Sequence, residues 1–252
     1  MNKQELLDGL AIGSWIHIGN PVVGEIMGSA GFDWLAIDLE HSMITLREAE
    51  DLIRVIELKG VVPLVRLSSN NHEQIKRVMD AGAHGVIVPM IKTAAEAFAA
   101  VRSVKYPPLG NRSIGLARAQ GYGARFNEYF EWQKDQTIIV VQIEHVDAVA
   151  NIEEILAVPG VDAYIVGPYD LSGSMELPGS FESPQFLKAL QTIHSAGKKL
   201  DVPGGLHIVE PDPAALRESI EEGNQFIAYG IDTRMIDIMC RRGLENIKGP
   251  IL

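Results

Sequence analysis

Short apolar stretches rich in Val and Ile recur along the chain and are separated by longer segments with helix signals. Near-continuous apolar runs of this length are typical of strands in a parallel sheet that is covered on both faces. The pattern predicts eight strands, over residues 13–19, 34–40, 61–67, 85–90, 137–144, 163–168, 199–206 and 225–232. The chain is therefore predicted to be an α/β protein.

The segments between the strands carry the start and stop signals of helices. In residues 45–60, Thr45 can cap a helix, Glu48 follows three residues later, and Gly60 can end it. The same character is found in residues 70–83, 93–104 and 210–223. Because strand and helix alternate throughout, eight such units predict a single (β/α)8 TIM barrel domain over 1–252 rather than a doubly wound sheet.

One stretch, residues 106–132, is read as irregular. It is too long for a plain connection, and long structured loops often serve function or assembly. We therefore expect this segment to contribute to a site or an interface.

Composition and charge narrow the possible partners. The formal net charge of -11 opposes binding to nucleic acid or anionic lipid, and no run of Lys or Arg reverses it locally. The single cysteine, Cys240, excludes an internal disulfide framework and suits a reducing cytoplasm. The first residues carry acids where a signal peptide needs an apolar core, and no apolar run is long enough to span a bilayer. We expect a cytoplasmic protein that binds small molecules.

Polar residues follow several of the predicted strands, where the active site of a barrel of this type forms. Asp38, Glu40 and His41 end the second predicted strand, and Arg66 ends the third. Later strands add Gln142, Glu144, His145 and Asp170. The turns at 167–174 and 202–205 can bring backbone close to a ligand.

These residue types predict a specific chemistry. Two carboxylates from adjacent strands, Glu144 and Asp170, would leave most positions of a divalent cation open for water and substrate, as is usual for catalytic Mg²⁺. Arg66 could clamp a carboxylate or stabilise an enolate oxygen. His41 would then be the proton carrier.

Seven motifs in one order resemble a known enzyme family. The sequences IDLEH, VPLVRL, MDAG with VIVPMI, KYPPLGNRSIG, VVQIEH, VGPYDLSGSM and AYGIDTRM are similar to those of the metal-dependent class II pyruvate aldolases. This family contains the 4-hydroxy-2-oxoheptanedioate and 2-dehydro-3-deoxyglucarate aldolases, and the resemblance runs from about residue 13 to 240. It implies a barrel whose last helix, about 233–247, is exchanged between chains of a homo-oligomer, a trimer or a hexamer. It also implies a divalent metal, Mg²⁺, Mn²⁺ or Co²⁺, as cofactor.

The resemblance assigns roles to individual residues. The metal carboxylates fall on Glu144 and Asp170, the enolate-stabilising arginine on Arg66 and the catalytic histidine on His41. Residues expected to support them or to bind substrate are Asp38, Asp80, Gln142, Gly167, Pro168, Leu171, Ser172 and Arg118.

Three of these supporting residues carry specific expectations. Gln142 matches the position that orients metal-bound water, and Arg118 the position that contacts the aldehyde from an adjacent chain. Asp80 ends a helix, which places it opposite His41, so a neighbouring chain brings it to the site or its role is structural.

The implied reaction is the reversible cleavage of a 4-hydroxy-2-oxoacid into pyruvate and an aldehyde. His41 would take the proton of the 4-hydroxyl, while Asp38 or Asp80 would orient its imidazole. No predicted strand ends in a lysine, since Lys92 lies two residues past the fourth and Lys199 begins the seventh. This argues against a class I aldolase, which needs a Schiff-base lysine.

Two alternatives stay open from the sequence. An acyl-CoA lyase of the citrate lyase β-subunit or malyl-CoA type would use a related barrel, a metal held by Glu and Asp, and an arginine. A non-catalytic 2-oxoacid-binding barrel would need no proton carrier such as His41. The acceptor aldehyde cannot be inferred from the sequence.

Overall fold

The eight strands close into a parallel barrel in sequence order. The computed structural model describes residues 1–249, apart from the side chain of residue 246. The strands are β1 Ala11–Ile16, β2 Trp34–Asp38, β3 Val62–Arg66, β4 Gly85–Val88, β5 Ile138–Ile143, β6 Ala163–Val166, β7 Gly204–Ile208 and β8 Phe226–Ile231. Each strand pairs in parallel with its neighbours, and β8 pairs with β1. The predicted (β/α)8 barrel is confirmed.

Helices connect the strands around the outside. They are α1 Lys3–Leu7, α2 Pro21–Gly28, α3 Leu46–Leu58, α4 His72–Asp80, α5 Ala94–Val104, α6 Phe126–Gln136, α7 Val146–Ala150, α8 Ile152–Leu156, α9 Pro168–Ser174, α10 Pro184–Leu200, α11 Pro213–Glu221 and α12 Asp232–Lys248. The predicted capping box of Thr45 and Glu48 forms at the start of α3. In residues 1–249, none of these helices is both long and apolar enough to cross a membrane.

The seventh strand was predicted too early. Residues 199–200 are the last residues of α10, and Asp201, which caps the helix, has a left-handed φ of 56°. The buried face of α10 continues through Ala196 and Gly197, so helical packing extends the helix over residues that read locally as a strand. Strand β7 therefore covers 204–208, and Lys199 lies on a helix surface.

The segment 106–132 is only partly irregular. Residues 105–117 have no regular structure, a single 3-10 turn covers Arg118–Gln120, and α6 begins at Phe126. The prediction of an entirely irregular stretch was wrong in its last seven residues. Several aromatic rings pack together here, including Tyr129 over Trp132 at 5.5 Å, and this cluster favours the helix.

Aromatic side chains fill the inside of the barrel. Trp34 stacks on Phe226 at 4.6 Å between ring centroids, and Trp15 meets Trp34 edge-on at 6.1 Å. Space for these rings comes from glycine, because a Cβ on Gly13 would lie 1.9 Å from the Trp34 ring. A second, mainly aliphatic core lies between the strands and the helices. Trp15 thus forms the floor of the cavity at the carboxyl ends of the strands.

Helix α12 begins at the junction of β8 with β1. The buried carboxylate of Asp232 accepts hydrogen bonds from the backbone nitrogens of His17, at 3.0 and 3.1 Å, and Ile18, at 2.9 Å. Farther along α12, several apolar side chains are exposed in the single chain, namely Ile236, Met239, Leu244 and Ile247.

Candidate active site

A cavity of about 240 Å³ opens at the carboxyl ends of the strands. The predicted site residues that line it are His41, Arg66, Gln142, Gly167, Pro168 and Asp170. They lie at or just after the ends of four strands, β2, β3, β5 and β6, and barrel closure brings them to one mouth. The structure thus brings four of the strand-end polar residues, His41, Arg66, Gln142 and Asp170, together at this mouth.

The centre of the mouth is a buried ion pair between β2 and β3. Arg66 donates from Nε to Asp38 Oδ1 at 2.8 Å and from Nη2 to Asp38 Oδ2 at 2.6 Å. The two residues are register partners on neighbouring strands, so the pairing of the strands aligns carboxylate and guanidinium. The guanidinium also lies 4.3 Å above the Trp15 ring, which adds a cation–π contact. Arg66 is therefore held rigidly, and it forms part of the cavity wall.

Arg66 is not the only group that contacts the Asp38 carboxylate. Its Oδ2 lies 2.7 Å from His17 Nε2, and its Oδ1 accepts from the backbone nitrogens of Glu40, at 2.9 Å, and His41, at 3.3 Å. Burial opposes its ionisation, but the hydrogen bonds from His17 and Arg66 and the Arg66 charge hold the pKa of Asp38 well below its usual range. Asp38 is thus a permanent carboxylate at the base of the site.

The expected contact between Asp38 and the His41 imidazole is not formed. Asp38 binds the backbone of His41, while the His41 Nε2 atom lies 3.8 Å from Glu40 Oε2. The His41 side chain is 59% exposed. The reason is local, since the turn after β2 folds back on the Asp38 carboxylate and leaves the imidazole on the rim of the cavity.

Glu144 lies just after β5 and is buried. Its Oε1 accepts from the Met90 backbone nitrogen at 2.7 Å, and its Oε2 accepts from Gln142 Nε2. Burial raises the pKa of Glu144 to about 7, because the hydrogen bonds from Met90 and Gln142 only partly compensate and the charges of Glu40 and Asp170 add to the rise.

The carboxyl group of Glu40, like that of Glu144, has a raised pKa. Burial raises the pKa of Glu40 to about 7 despite the nearby charge of Arg66, and the charges of Asp38 and Asp170 contribute to the rise. Asp170, in the first turn of α9, is itself exposed on the cavity wall. Three carboxyl groups, on Glu40, Glu144 and Asp170, therefore act on one another at this edge of the mouth.

The turn after β6 makes room for Glu144. A Cβ on Gly167 would lie 2.7 Å from Glu144 Oε2 and 3.2 Å from Gln142 Nε2. Only glycine allows the backbone at this position to approach the carboxylate so closely. Gly167 is thus required by the geometry of the carboxylate cluster.

This cluster has the donor chemistry of a site for a hard divalent cation. Its ligands are oxygens, and two buried ones, Gln142 Oε1 and Glu40 Oε2, have no hydrogen-bond partner among the described residues. A cation would relieve the mutual repulsion that contributes to the raised carboxyl pKa values. Residues 1–249 contain no group of three His, Cys, Asp or Glu side chains arranged as a full ligand set. A cation held by two carboxylates with other ligands from outside the chain fits the residues present.

Six predicted site residues do not line this cavity in the described chain: the buried carboxylates Asp38 and Glu144 described above, and Asp80, Arg118, Leu171 and Ser172. Asp80 ends α4 at the opposite face of the barrel, and Arg118 Nη1 donates to the Ala81 carbonyl at 3.0 Å while Nη2 pairs with Glu57. Leu171 and Ser172 are buried residues of the short helix α9, which follows β6.

The roles of two strand-end residues are visible in their hydrogen bonds. Ser172 Oγ donates to the Tyr169 carbonyl at 2.9 Å and accepts from the Gly179 nitrogen at 3.0 Å, which stabilises the turn. His145 caps α7 by accepting from the Asp147 nitrogen at 3.1 Å. Neither side chain is positioned to contact a ligand in the cavity.

Two histidines in the mouth were not assigned a role from the sequence. His17 follows β1 and contacts Asp38, and only its position at a strand end pointed to it. His207 lines the cavity from β7, and the misplaced seventh strand, which ended at residue 206, hid it. A correct strand boundary would have put His207 among the candidates.

The chain is similar to known proteins over nearly its whole length. Residues 11–237 match the family model described as HpcH/HpaI aldolase/citrate lyase. A hydroxypyruvate/pyruvate aldolase from Sagittula stellata is 42% identical over 226 residues, 89% of this chain and 88% of the relative. A 4-hydroxy-2-oxovalerate aldolase from Rhodococcus jostii is 38% identical over 240 residues, 93% of this chain and 90% of the relative.

A solved structure agrees with these matches. The crystal structure of an HpcH/HpaI aldolase/citrate lyase family protein from Burkholderia cenocepacia superposes with a TM-score of 0.92 at 32% identity, covering 98% of each chain. These findings confirm the resemblance and the carbon–carbon lyase chemistry inferred from the sequence. The chain belongs to the HpcH/HpaI aldolase/citrate lyase family.

Proposed function

We propose that this aldolase reversibly cleaves a 4-hydroxy-2-oxoacid into pyruvate, or a close 2-oxoacid, and an aldehyde. The observation that carries the proposal is the buried Arg66–Asp38 pair in the wall of the cavity. Support also comes from relatives over most of the chain that are named pyruvate, hydroxypyruvate and 4-hydroxy-2-oxoacid aldolases. These names favour an aldolase over an acyl-CoA lyase.

Arg66 stabilises the enolate that appears when the carbon–carbon bond breaks. Two hydrogen bonds to Asp38 and the Trp15 ring fix its guanidinium before the substrate arrives. Because this guanidinium is already oriented, it need not move as negative charge develops on the 2-oxo oxygen. It therefore lowers the energy of the enolate-like transition state more than that of the bound substrate.

Glu144 and Asp170 are the residues that would hold a divalent cation, either Mg²⁺, Mn²⁺ or Co²⁺. When bound, the cation supplies a Lewis acid that binds the 2-oxoacid and favours the enolate. Gln142 holds Glu144 in place by donating to its Oε2. The pKa of Glu144, raised to about 7 by burial, means that a cation and a proton compete for this carboxylate.

His41 is the proton carrier for the 4-hydroxyl group. Its imidazole lies on the cavity rim beside Glu40 and is exposed enough to exchange protons with water. In cleavage it accepts the hydroxyl proton as the aldehyde forms, and in condensation it returns the proton.

Residues from a neighbouring chain complete the site. Asp80 and Arg118, which lie outside the cavity of their own chain, are proposed to reach a neighbour's mouth in a homo-oligomer, a trimer or a hexamer. The exposed apolar side chains of α12 support an exchanged or covered last helix in that assembly. A fully active monomer in sedimentation analysis at assay concentration would contradict this part of the proposal.

Exchange of the pyruvate methyl protons tests the function without knowing the aldehyde. Because the enolate is common to both directions, the enzyme with pyruvate and metal in heavy water should replace methyl protons with deuterium, as followed by NMR. The exchange should stop with a chelator. If exchange is no faster than with free metal, the proposal fails, and the same protein should then be assayed for malyl-CoA cleavage and for pyruvate binding without turnover.

His41→Ala separates two roles in the same assay. If His41 serves the hydroxyl of the aldol, deuterium exchange should survive better than aldol cleavage. Equal loss of both activities would instead make His41 the base that forms the enolate.

A further inference from the structure

His17 pairs closely with a buried carboxylate of the mouth. It follows β1, lines the same cavity as Arg66 and keeps 17% of its side chain exposed. Its Nε2 atom lies 2.7 Å from Asp38 Oδ2, and the Arg66 Nη2 atom lies 2.6 Å from the same oxygen. The imidazole and the guanidinium therefore lie side by side on one carboxylate. The reaction described above gives His17 no part.

The position of His17 is fixed from two sides. Its backbone nitrogen donates to both carboxylate oxygens of Asp232, at 3.0 and 3.1 Å, where β8 closes on β1. Its side chain is held by Asp38 at the end of β2. His41, by contrast, lies on the rim with 59% of its side chain exposed. The close carboxylate–imidazole pair of this mouth is thus formed by His17 and not by His41.

This pairing decides which ring nitrogen of His17 can exchange a proton with a ligand. Despite burial, the hydrogen bonds from His17 and Arg66 and the Arg66 charge hold the pKa of Asp38 well below its usual range, so its oxygens only accept hydrogen bonds. A neutral His17 ring therefore carries its proton on Nε2 and its lone pair on Nδ1. Nδ1 has no hydrogen-bond partner among the described residues and, unlike Nε2, is not buried. It can act as a base, and the Asp38 carboxylate would stabilise the resulting imidazolium.

Formation of the enolate needs a base at C3 of the 2-oxoacid. The C3–H bond breaks, its electron pair forms the C2=C3 double bond, and the carbonyl π electrons pass to the 2-oxo oxygen. Arg66 stabilises that oxygen, and C3 is bonded to the same carbonyl carbon. Because His17 shares the Asp38 carboxylate with Arg66 in a cavity of only about 240 Å³, a 2-oxoacid bound at Arg66 places C3 within reach of the His17 ring.

We propose that His17 is a further catalytic residue, the base that removes the C3 proton of the 2-oxoacid and the acid that returns it. In condensation the C3 proton bonds to Nδ1, the enolate attacks the aldehyde, and the aldehyde oxygen takes a proton from His41. In cleavage His41 takes the 4-hydroxyl proton, and the His17 imidazolium gives a proton to C3 of the enolate. Both rings return to their starting states by exchanging protons with water. The inference rests on the proposed aldolase function and names the enolising base of that site.

Exchange of the pyruvate methyl protons for deuterium tests this step. Wild type, His17→Gln and His17→Ala are compared with pyruvate and Mg²⁺, Mn²⁺ or Co²⁺ in heavy water. The amide of a glutamine can donate to Asp38 in place of Nε2, but it cannot carry a proton. If His17 is the base, both variants should lose about 100- to 10,000-fold in exchange rate at saturating pyruvate. Their apparent KM for pyruvate should stay within about threefold of the wild type, because the lost group acts on the transition state.

A merely structural role for His17 gives a different result. If His17 only holds Asp38 and Arg66 in place, His17→Gln should keep most of the exchange that His17→Ala loses, or both variants should raise the KM for pyruvate as strongly as they lower the rate. Either result would overturn the assignment. His145→Gln is the matched control, because His145 also follows a strand but caps α7 outside the cavity. Its exchange rate should stay within about threefold of the wild type.

The outcomes separate this inference from the proposed function. Absence of metal-dependent deuterium exchange in the wild type would overturn the aldolase proposal. Normal wild-type exchange that persists in His17→Gln would overturn only the role of His17. If the His17 variants do not fold, His41→Ala decides, since exchange should persist in that variant. Loss of exchange in step with aldol cleavage would make His41 the enolising base and overturn the inference.

Discussion

Two buried arginines, one at each face of the barrel, show similar packing and different surroundings. The guanidinium of Arg66 lies 4.3 Å above the Trp15 ring, and that of Arg112 lies 4.1 Å above the Tyr106 ring. Arg66 donates to the Asp38 carboxylate from Nε and Nη2, and its Nη1 lies 3.4 Å from Glu40 Oε2. Arg112 donates to the Tyr129 hydroxyl at 2.9 Å, while its Nε and Nη1 have no hydrogen-bond partner in the part of the chain that the structure describes.

The difference lies in what each arginine faces. Arg66 ends a strand and forms part of the wall of an open cavity, so its charge can act on a ligand. Arg112 has no exposed surface and is enclosed by the long segment between α5 and β5, where Tyr106 also pairs with Gln120. Burial and aromatic stacking by themselves therefore do not identify a functional arginine, whereas contact with an accessible cavity does.

The largest effect is expected from Arg66→Lys. A lysine cannot reproduce the two parallel bonds to Asp38 or the planar contact to an enolate, so turnover should fall about 100- to 1,000-fold. Steady-state cleavage and deuterium exchange should fall together. A variant that keeps more than a tenth of wild-type activity would contradict the central role of Arg66.

Arg112→Ala should instead lower stability. Removing the side chain leaves a gap between Tyr106 and Tyr129, which should reduce the free energy of unfolding by about 2–4 kcal/mol. Denaturant unfolding measures this, with Arg112→Met, which fills most of the gap, as the milder control. If Arg112→Ala kept full stability but lost turnover per folded molecule, the distinction between the two arginines would fail.

Gly167→Ala tests the carboxylate cluster of the mouth. The new Cβ would meet Glu144 Oε2 at 2.7 Å and displace the carboxylate, so metal affinity and turnover should fall about 10- to 100-fold. Gly173→Ala is the control in the same helix region, since a Cβ there meets no described atom within 4 Å. Titration with Mn²⁺ and aldol cleavage measure both variants. Equal behaviour of the two would show that Glu144 is not held as described.

The smallest effect is expected from Glu40→Gln. Burial raises the pKa of Glu40 from its ordinary value of 4.5 to about 7, so between these values the folded chain keeps a proton that the unfolded chain has lost. Folding then takes up a proton, and this carboxyl lowers stability as the pH rises from 4.5 to 7. In metal-free protein, Glu40→Gln should therefore raise the melting temperature above pH 7.

The pH dependence of that gain is the decisive measurement. In a chain of this size, the melting temperature should rise by about 2–4 °C for each kcal/mol gained in the free energy of unfolding. The gain should vanish below pH 4.5, where the wild-type Glu40 carboxyl is protonated in both the folded and the unfolded chain. Thermal unfolding in chelator across this range measures it. A gain that is constant with pH would mean that the substitution acts through packing and not through the charge.

The sequence by itself determined the order of elements and most of the site. Strand periodicity and helix caps depend on neighbours in the chain, and the capping box of Thr45 and Glu48 forms as predicted. The polar residues after the strands were identified because the barrel places every strand end at one face. Arg66, Gln142 and Asp170 line the cavity for this reason.

Local patterns failed where packing decided the boundary. The end of α10 reads as a strand over 199–203, yet the buried helix face that continues through Ala196 and Gly197 extends the helix to Leu200. The resulting shift of β7 is also what places His207 in the mouth. A boundary set by long-range burial cannot be read from a short window of sequence.

Only the tertiary structure decided which polar groups meet. Arg66 pairs with Asp38, 28 residues away, and this pairing uses the carboxylate that was expected to orient His41. Asp232 reaches the backbone of His17 across 215 residues of chain because β8 closes on β1. Hydrogen-bond partners of this kind depend on strand register and barrel closure, which bring distant positions together at distances that residue type and spacing along the chain do not specify.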